Sequence, residues 1–198
     1  SIANSVVGHD AGTGPLPDGW GRAERIVVDA VADGQTGSLR HAVDAAGRSG
    51  NDTVIVLKPT TYRLTRGCRR SHLQSGIDAD EDLNAGGDLD LQPLGGGIRI
   101  EGSLNDKGQG TTIVQECPGQ RVLHATGSDR VELSKVTLAG GQATSPLGHG
   151  SGGALLSEGG ADVTIIDWML TSNTAQDTGG AVTVSGPPGR LNLIRSVV

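Results

Sequence analysis

The sequence repeats a pattern of short β-branched segments broken by glycine, and this repeat constrains the fold more than any other feature. Residues 131–156 contain VELSKVTLAGGQA, a polar Gly-rich gap and GGALL. Residues 163–184 contain VTIIDWMLTSNTA, a shorter gap and GGAVTV, and a third copy, LNLIRSVV, begins at Leu191. Steps of roughly 30 residues are typical of solenoids, in which each coil buries its apolar face only by stacking on its neighbours. The repeat therefore predicts stacked β-coils.

The composition agrees with a narrow aliphatic core. The chain has 33 Gly, no Phe, one Tyr and two Trp among its 198 residues. Without aromatic bulk, the core must consist of Val, Ile, Leu and Ala, which suit stacked strands. Disorder is the competing interpretation of so much glycine, but the apolar residues alternate in runs that favour strands.

Charge and hydropathy exclude two classes of partner. The net charge is −6, and phosphate binding needs a basic surface, so we expect no nucleic-acid partner. No run reaches the ~18–20 apolar residues that cross a bilayer, so we expect no membrane span.

One short amphipathic helix is predicted at residues 38–47. Ser38 is suited to the N-cap and Gly47 to the position after the C-terminus. We expect its apolar face to cover the open end of the stacked coils, where bare strand edges invite aggregation. Its apolar residues are Leu39, Ala42, Val43 and Ala46. Strands are predicted at residues 25–31, 53–57, 62–65, 89–91, 98–101, 112–115 and 122–124, before the repeats.

Several motifs in order resemble a bacterial family. They are GSLRHAVDAAG, NDTVIVL, the stretch through TTIVQ, and DRVELSKVTLAGGQA with later Gly-Gly-Ala strands. Over residues 25–198 the chain resembles the secreted or surface proteins with a CSLREA-signature domain and a pectate-lyase-like superfold. The family's leading Cys is Gly37 here and its Glu is His41, so no role tied to that Cys carries over.

The resemblance implies a right-handed parallel β-helix, secreted or attached to the cell surface, and implies no catalytic activity. We therefore predict an all-β fold of one domain over residues 1–198. In this prediction, residues 1–24 form an N-terminal strand and loop, and residues 25–60 form a cap region. Residues 61–130 form irregular coils, and residues 131–198 form regular coils.

Two cysteines, Cys68 and Cys117, permit one disulfide. It would close a loop of about 50 residues and contribute about 4 kcal/mol in the chain-entropy treatment. Two free buried thiols are the alternative, because two cysteines alone do not decide the compartment.

The first residues of the chain match the last ones at the same position within the repeat. Asn4-Ser-Val-Val7 aligns with Arg195-Ser-Val-Val198. One interpretation is an earlier coil of a longer β-helix. The other is head-to-tail self-association, in which the N-terminal strand of one copy completes the last coil of another. The residues concerned are Ser5, Val6, Val7, Ser196, Val197 and Val198.

Acidic residues that begin after the third predicted strand are the candidate metal ligands. Alternating aspartates on a loop can supply several of the oxygens that calcium prefers. An EF-hand is excluded, because Leu83 replaces its glycine and Leu89 its final glutamate. A looser calcium site, or a solvated loop pairing with the Arg66–Arg70 cluster, remains. The candidate ligands are Asp78, Asp80, Asp82, Asp88 and Asp90.

A possible catalytic column lies in the repeats. Lys135 and Arg195 occupy comparable positions, with Asp167 between them in the stack. Polysaccharide lyases and glycoside hydrolases need clustered carboxylates with a base, although an ion-pair ladder explains the same column more simply. None of the five histidines has a metal-ligand spacing.

Two hypotheses follow. The first is a non-catalytic extracellular module for surface structure, adhesion or binding of a polysaccharide or other surface ligand, with self-association and calcium as its expected partners. The alternative is a polysaccharide lyase or glycoside hydrolase.

Overall fold

The computed structural model describes residues 16–68, 84, 86–144, 150–186 and 189–196. These form a mostly β structure with one helix. In chain order the elements are β1 (Glu24–Val27), α1 (Leu39–Ser49), β2 (Thr53–Val56), β3 (Thr61–Leu64), β4 (Leu89–Leu91), β5 (Ile98–Glu101), β6 (Thr111–Gln115), β7 (Leu123–Ala125), β8 (Arg130–Ser134), β9 (Val136–Ala139), β10 (Gln142–Ala143), β11 (Leu155–Ser157), β12 (Asp162–Ile166), β13 (Met169–Thr171), β14 (Thr174–Ala175), β15 (Val182–Val184) and β16 (Arg190–Ile194).

The strands form several separate parallel sheets that the chain visits in turn. The largest has the order β1-β2-β5-β8-β12-β16, and two four-stranded sheets have the orders β3-β6-β9-β13 and β4-β7-β11-β15. Strands β10 and β14 form a two-stranded parallel pair. Each return to a sheet places the new strand beside the previous one of that sheet. The expected all-β class and its parallel strands are therefore confirmed.

The repeat in the sequence corresponds to the strand register. Val131 pairs with Val163, and Val163 pairs with Leu191. Two residues further along each strand, Leu133, Ile165 and Leu193 form the next inward row. Alternation with period two puts these rows in the core and the residues between them on the outer face.

The core is a ladder of aliphatic side chains. Ile55, Ile100, Leu133 and Ile165 occupy one row of the largest sheet, and each is 0% exposed. The two four-stranded sheets contribute further buried rows to the same cluster. Stacking of branched side chains at this close spacing supplies the core that the composition predicted.

Helix α1 begins as predicted and ends later. The Ser38 Oγ accepts a hydrogen bond from the His41 backbone N–H at 3.3 Å, so Ser38 is the N-cap. Gly47 does not end the helix, which continues to Ser49 and stops at Gly50, in the left-handed region with φ of 70°. A Cβ on Gly47 would lie 3.1 Å from the Gln92 carbonyl oxygen. Close packing therefore explains this glycine.

The buried face of α1 packs against β2 and β4. Among the described strands, β4 is the edge of its sheet, and the helix packs at this edge. The first strand is shorter than predicted. Beyond Val27 the chain turns, and the N–H groups of Asp29 and Ala30 donate to the Gly37 carbonyl oxygen.

Candidate functional site

Two of the predicted metal ligands lie in a buried polar cluster. Asp78, Asp80 and Asp82 lie outside the described residues. Asp88 and Asp90 are each 2% exposed. Asp90 is the middle residue of β4, between Leu89 and Leu91, which face the core. Period-two alternation therefore points its carboxylate to the outer face of that sheet.

A histidine that the sequence gave no reason to select completes this cluster. His124 is the middle residue of β7 and the register partner of Asp90. Its Nδ1 lies 3.5 Å from Asp90 Oδ1, and the side chain of His124 is 3% exposed. One donor atom from each of Asp88, Asp90 and His124 lies within 4.8 Å of the others. These three residues are called the DDH cluster below.

Hydrogen bonds from a neighbouring loop orient Asp90. The Asn84 backbone N–H donates to Asp90 Oδ2 at 3.1 Å. The Asn84 amide also exchanges two hydrogen bonds of 2.8 Å with the Asp90 backbone. Asn84 adopts a left-handed conformation with φ of 55°, which asparagine tolerates. The carboxylate is therefore fixed with Oδ2 toward Asn84 and Oδ1 toward His124.

The far side of the imidazole contacts a second carboxylate. His124 Nε2 lies 3.3 Å from Glu158 Oε2. Ser185 donates its hydroxyl to Glu158 Oε1 at 2.9 Å, which orients that carboxylate. Arg121 Nη1 lies 3.3 Å from Asp88 Oδ2. Each member of the DDH cluster therefore has one polar atom held by a partner outside the cluster.

A buried arginine fixes the turn that carries Asp88. Arg40 in α1 donates to the carbonyl oxygens of Gly86, Gly87 and Asp88, at 3.3, 2.8 and 2.6 Å. The same guanidinium bonds both carboxylate oxygens of Asp33. Burial raises the pKa of Asp33. Hydrogen bonds from Arg40 and from the backbone outweigh this, and hold the pKa below its usual value.

A disulfide lies beside this turn. Cys68 and Cys117 are bonded, with their Cα atoms 4.7 Å apart. The alternative of two free thiols does not apply to this structure. The adjacent Gly67 meets Gly86, where a Cβ on either residue would lie 2.7 Å from the other's Cα. The glycine contact packs the loop after β3 against the turn that leads into β4, and the disulfide links the same loop to the segment after β6.

The Lys135, Asp167 and Arg195 column forms as predicted from the repeat. Lys135, Asp167 and Arg195 come immediately after β8, β12 and β16. The Lys135 N–H donates to the Ile166 carbonyl oxygen and the Asp167 N–H to that of Ile194, which extends the strand hydrogen bonding by one residue. All three have positive φ, of 54°, 51° and 48°. They therefore occupy one left-handed bend repeated in successive strands.

Within this column Asp167 is paired on the surface. Arg195 binds both of its carboxylate oxygens. Hydrogen bonding to Arg195 holds the pKa of Asp167 below its usual value. Desolvation opposes this lowering of the pKa, and the Lys135 charge adds to it. Lys135 Nζ lies 3.9 Å from Glu101. The geometry is that of an ion-pair ladder, and a catalytic role for these residues stays a prediction.

Most residues of the predicted self-association site cannot be placed. Ser5, Val6, Val7, Val197 and Val198 lie outside the described residues. Ser196 follows β16, and its hydroxyl donates to the Ile194 carbonyl oxygen at 3.0 Å.

The chain matches no protein-family model, no curated protein and no solved structure. The likeness to CSLREA-signature proteins therefore rests on the motifs quoted above. Within the described ranges, no helix has the length and apolar character needed to cross a membrane.

Proposed function

We propose that this protein is a non-catalytic module of the cell exterior, built as a right-handed parallel β-helix, that associates end to end. Three features support the finer fold. The chain visits its sheets in turn, each return adds a parallel strand beside the last one, and consecutive coils share one aliphatic ladder. Surface structure, adhesion and binding of a surface ligand are the roles that such an elongated scaffold serves.

The observation that carries end-to-end association is a change of exposure along one row of the core. Ile55, Ile100, Leu133 and Ile165 are 0% exposed, whereas Leu193 in the same row is 48% exposed. Ile194 beside it is 40% exposed. At the other end of the stack, α1 packs against β4. Among the described residues, one end of the ladder is therefore covered, and the other presents apolar side chains and a strand, β16, with no further strand beside it.

The occupant we propose for this edge is a second copy of the chain, through Ser5, Val6 and Val7. The sequence around these residues matches the phase of Ser196-Val-Val198, so it carries the side chains that continue the aliphatic rows. Addition of a strand to an open edge uses main-chain hydrogen bonds for affinity and alternate side chains for specificity. Head-to-tail contact of this kind produces a series of oligomers.

The disulfide supports a location outside the cytoplasm. Structural disulfides persist in secreted and surface proteins and are rare in the reducing cytosol. Cys68 and Cys117 are bonded in this structure. The resemblance to CSLREA-signature surface proteins points to the same compartment.

Polysaccharide cleavage is the alternative, and it depends on the column of Lys135, Asp167 and Arg195. A catalytic carboxylate or base must reach the substrate. Here the two oxygens of Asp167 are bound by Arg195, so the observed arrangement favours the structural role.

The test is light scattering coupled to size exclusion over a range of protein concentrations. We expect a concentration-dependent series of oligomers that becomes monomeric on deletion of residues 1–12 or on Leu193→Lys. Leu94→Lys is the matched control, because Leu94 is 68% exposed at a turn away from the β16 edge. A monomer at all concentrations, or equal effects of Leu193→Lys and Leu94→Lys, would overturn the proposal.

A further inference from the structure

The DDH cluster brings two carboxylates and an imidazole close enough together to share one metal ion. Asp90 Oδ1 and His124 Nδ1 face each other at 3.5 Å. A hydrogen bond between a charged imidazole and a carboxylate is typically ~2.7–2.9 Å long. Two ligands bound to one zinc ion at ~2.0–2.1 Å, with a tetrahedral angle, lie about 3.4 Å apart. The observed distance is therefore compatible with two ligands of one ion.

The environment of His124 supports the same conclusion independently. Glu158 lies against Nε2, which is where a carboxylate would accept the N–H of an imidazole that binds a metal through Nδ1. A carboxylate on the outer nitrogen of a ligating histidine is the usual arrangement around protein-bound zinc. Ser185 in turn orients Glu158.

The two carboxylates are also held by outer partners. Asn84 donates to Asp90 Oδ2, and Arg121 lies against Asp88 Oδ2. These contacts leave Asp90 Oδ1 directed at the imidazole. Because strands β4 and β7 are neighbours in a parallel ladder, the backbone fixes the spacing of the two ligands. All three donor atoms lie within 4.8 Å of one another, and shifts of under about 1 Å bring them onto one ion.

We propose that Asp88, Asp90 and His124 bind one divalent ion of the zinc class. Two carboxylates and an imidazole form a mixed oxygen and nitrogen set that suits zinc. Calcium prefers six to eight oxygen ligands, so the presence of His124 changes the metal that the acidic residues alone would suggest. The site joins adjacent coils beside the disulfide, and binding adds stability to the folded chain.

The test is calorimetric titration of the full chain with zinc chloride, after removal of metals with a chelator. We expect one ion per chain, at least 100-fold weaker binding for His124→Gln, and about 10-fold weaker binding for Glu158→Ala. His41→Gln is the matched control, since His41 lies on α1 outside the cluster.

Melting curves recorded with chelator separate folding from binding. The side chain of Glu158 is 40% exposed, so Glu158→Ala folds even if His124→Gln does not. Absence of zinc binding would overturn the proposal. Binding that His41→Gln weakens as much as His124→Gln, or a preference for calcium over zinc that is independent of His124, would also overturn it.

Discussion

Arg195 binds Asp167 through two parallel hydrogen bonds, from Nε to Oδ1 at 2.6 Å and from the second guanidinium nitrogen to Oδ2 at 2.9 Å. Both residues lie in the same left-handed bend of successive strands. The bidentate pair links the ends of the neighbouring strands β12 and β16 at the surface. A carboxylate bound on both oxygens is the arrangement expected of an ion-pair ladder, and a catalytic role for this column stays a prediction.

Replacement of Asp167 tests that interpretation. We expect Asp167→Asn to lower the melting temperature only slightly, because exposed ion pairs contribute little. The pKa of Asp167 is lowered in the folded chain. Its small contribution is therefore present above the pKa of an unfolded aspartate, about 3.9, and is lost as the pH falls through the lower folded value. Cleavage of a polysaccharide by the wild-type chain that Asp167→Asn abolishes would contradict the structural role.

The Asp33–Arg40 pair contributes more to stability than the exposed Asp167–Arg195 pair, because the Asp33 and Arg40 side chains are only 1% and 3% exposed. Asp33→Asn leaves the buried guanidinium without its carboxylate, and we expect a loss of about 3 kcal/mol of unfolding free energy. Urea denaturation measures this loss. Asp29→Asn is the control, since Asp29 forms an exposed pair with Lys58. Similar losses in the two variants would show that burial of the Arg40 pair has no special effect.

The Asp33 pair also predicts a pH dependence. The folded pKa of Asp33 is lowered, so the pair stabilises the fold fully above the unfolded value of about 3.9. This stability is lost as the pH falls through the folded pKa. The difference in unfolding free energy between the wild type and Asp33→Asn should therefore shrink in acid. A constant difference from pH 6 to pH 3 would contradict the assignment.

The disulfide predicts a defined loss of stability. Cys68 and Cys117 are 49 residues apart, and removal of a cross-link that closes such a loop costs about 4 kcal/mol. We expect the Cys68→Ala, Cys117→Ala double variant to lose this amount in urea denaturation. Added reductant should destabilise the wild type and leave the double variant unchanged. Two thiols that titrate in the unfolded, unreduced chain would show that the bond does not form.

The close packing around Gly141 predicts that a side chain at this position destabilises the fold. A Cβ at this position would overlap the Gly153 carbonyl oxygen, which belongs to the backbone and cannot move aside. We expect Gly141→Ala to cost about 2–4 kcal/mol. Gly21→Ala is the control, because a Cβ on Gly21 meets nothing within 4 Å, and its effect should stay under about 0.5 kcal/mol. Equal melting temperatures for the two variants would contradict the close approach.

Prediction from sequence was accurate where one coil repeats another. The pairing of Val131 with Val163 follows from the repeat alone, as does the column that contains Asp167. The prediction that Gly47 ends the helix was wrong, because its contact with Gln92 depends on how the helix packs. Prediction from sequence also missed His124, whose separation from Asp90 along the chain matches no metal-ligand spacing.

The sequence by itself determined the parallel strands, the aliphatic core and the helix that starts at Ser38. These follow from local periodicity and from a repeat that puts equivalent residues in register. Only the tertiary structure decided that Asp90, His124 and Glu158 meet. The connection from β3 to β4 is long, so its length does not reveal which residue of β4 lies opposite His124. The register between neighbouring strands fixes that contact, and with it the proposed metal site.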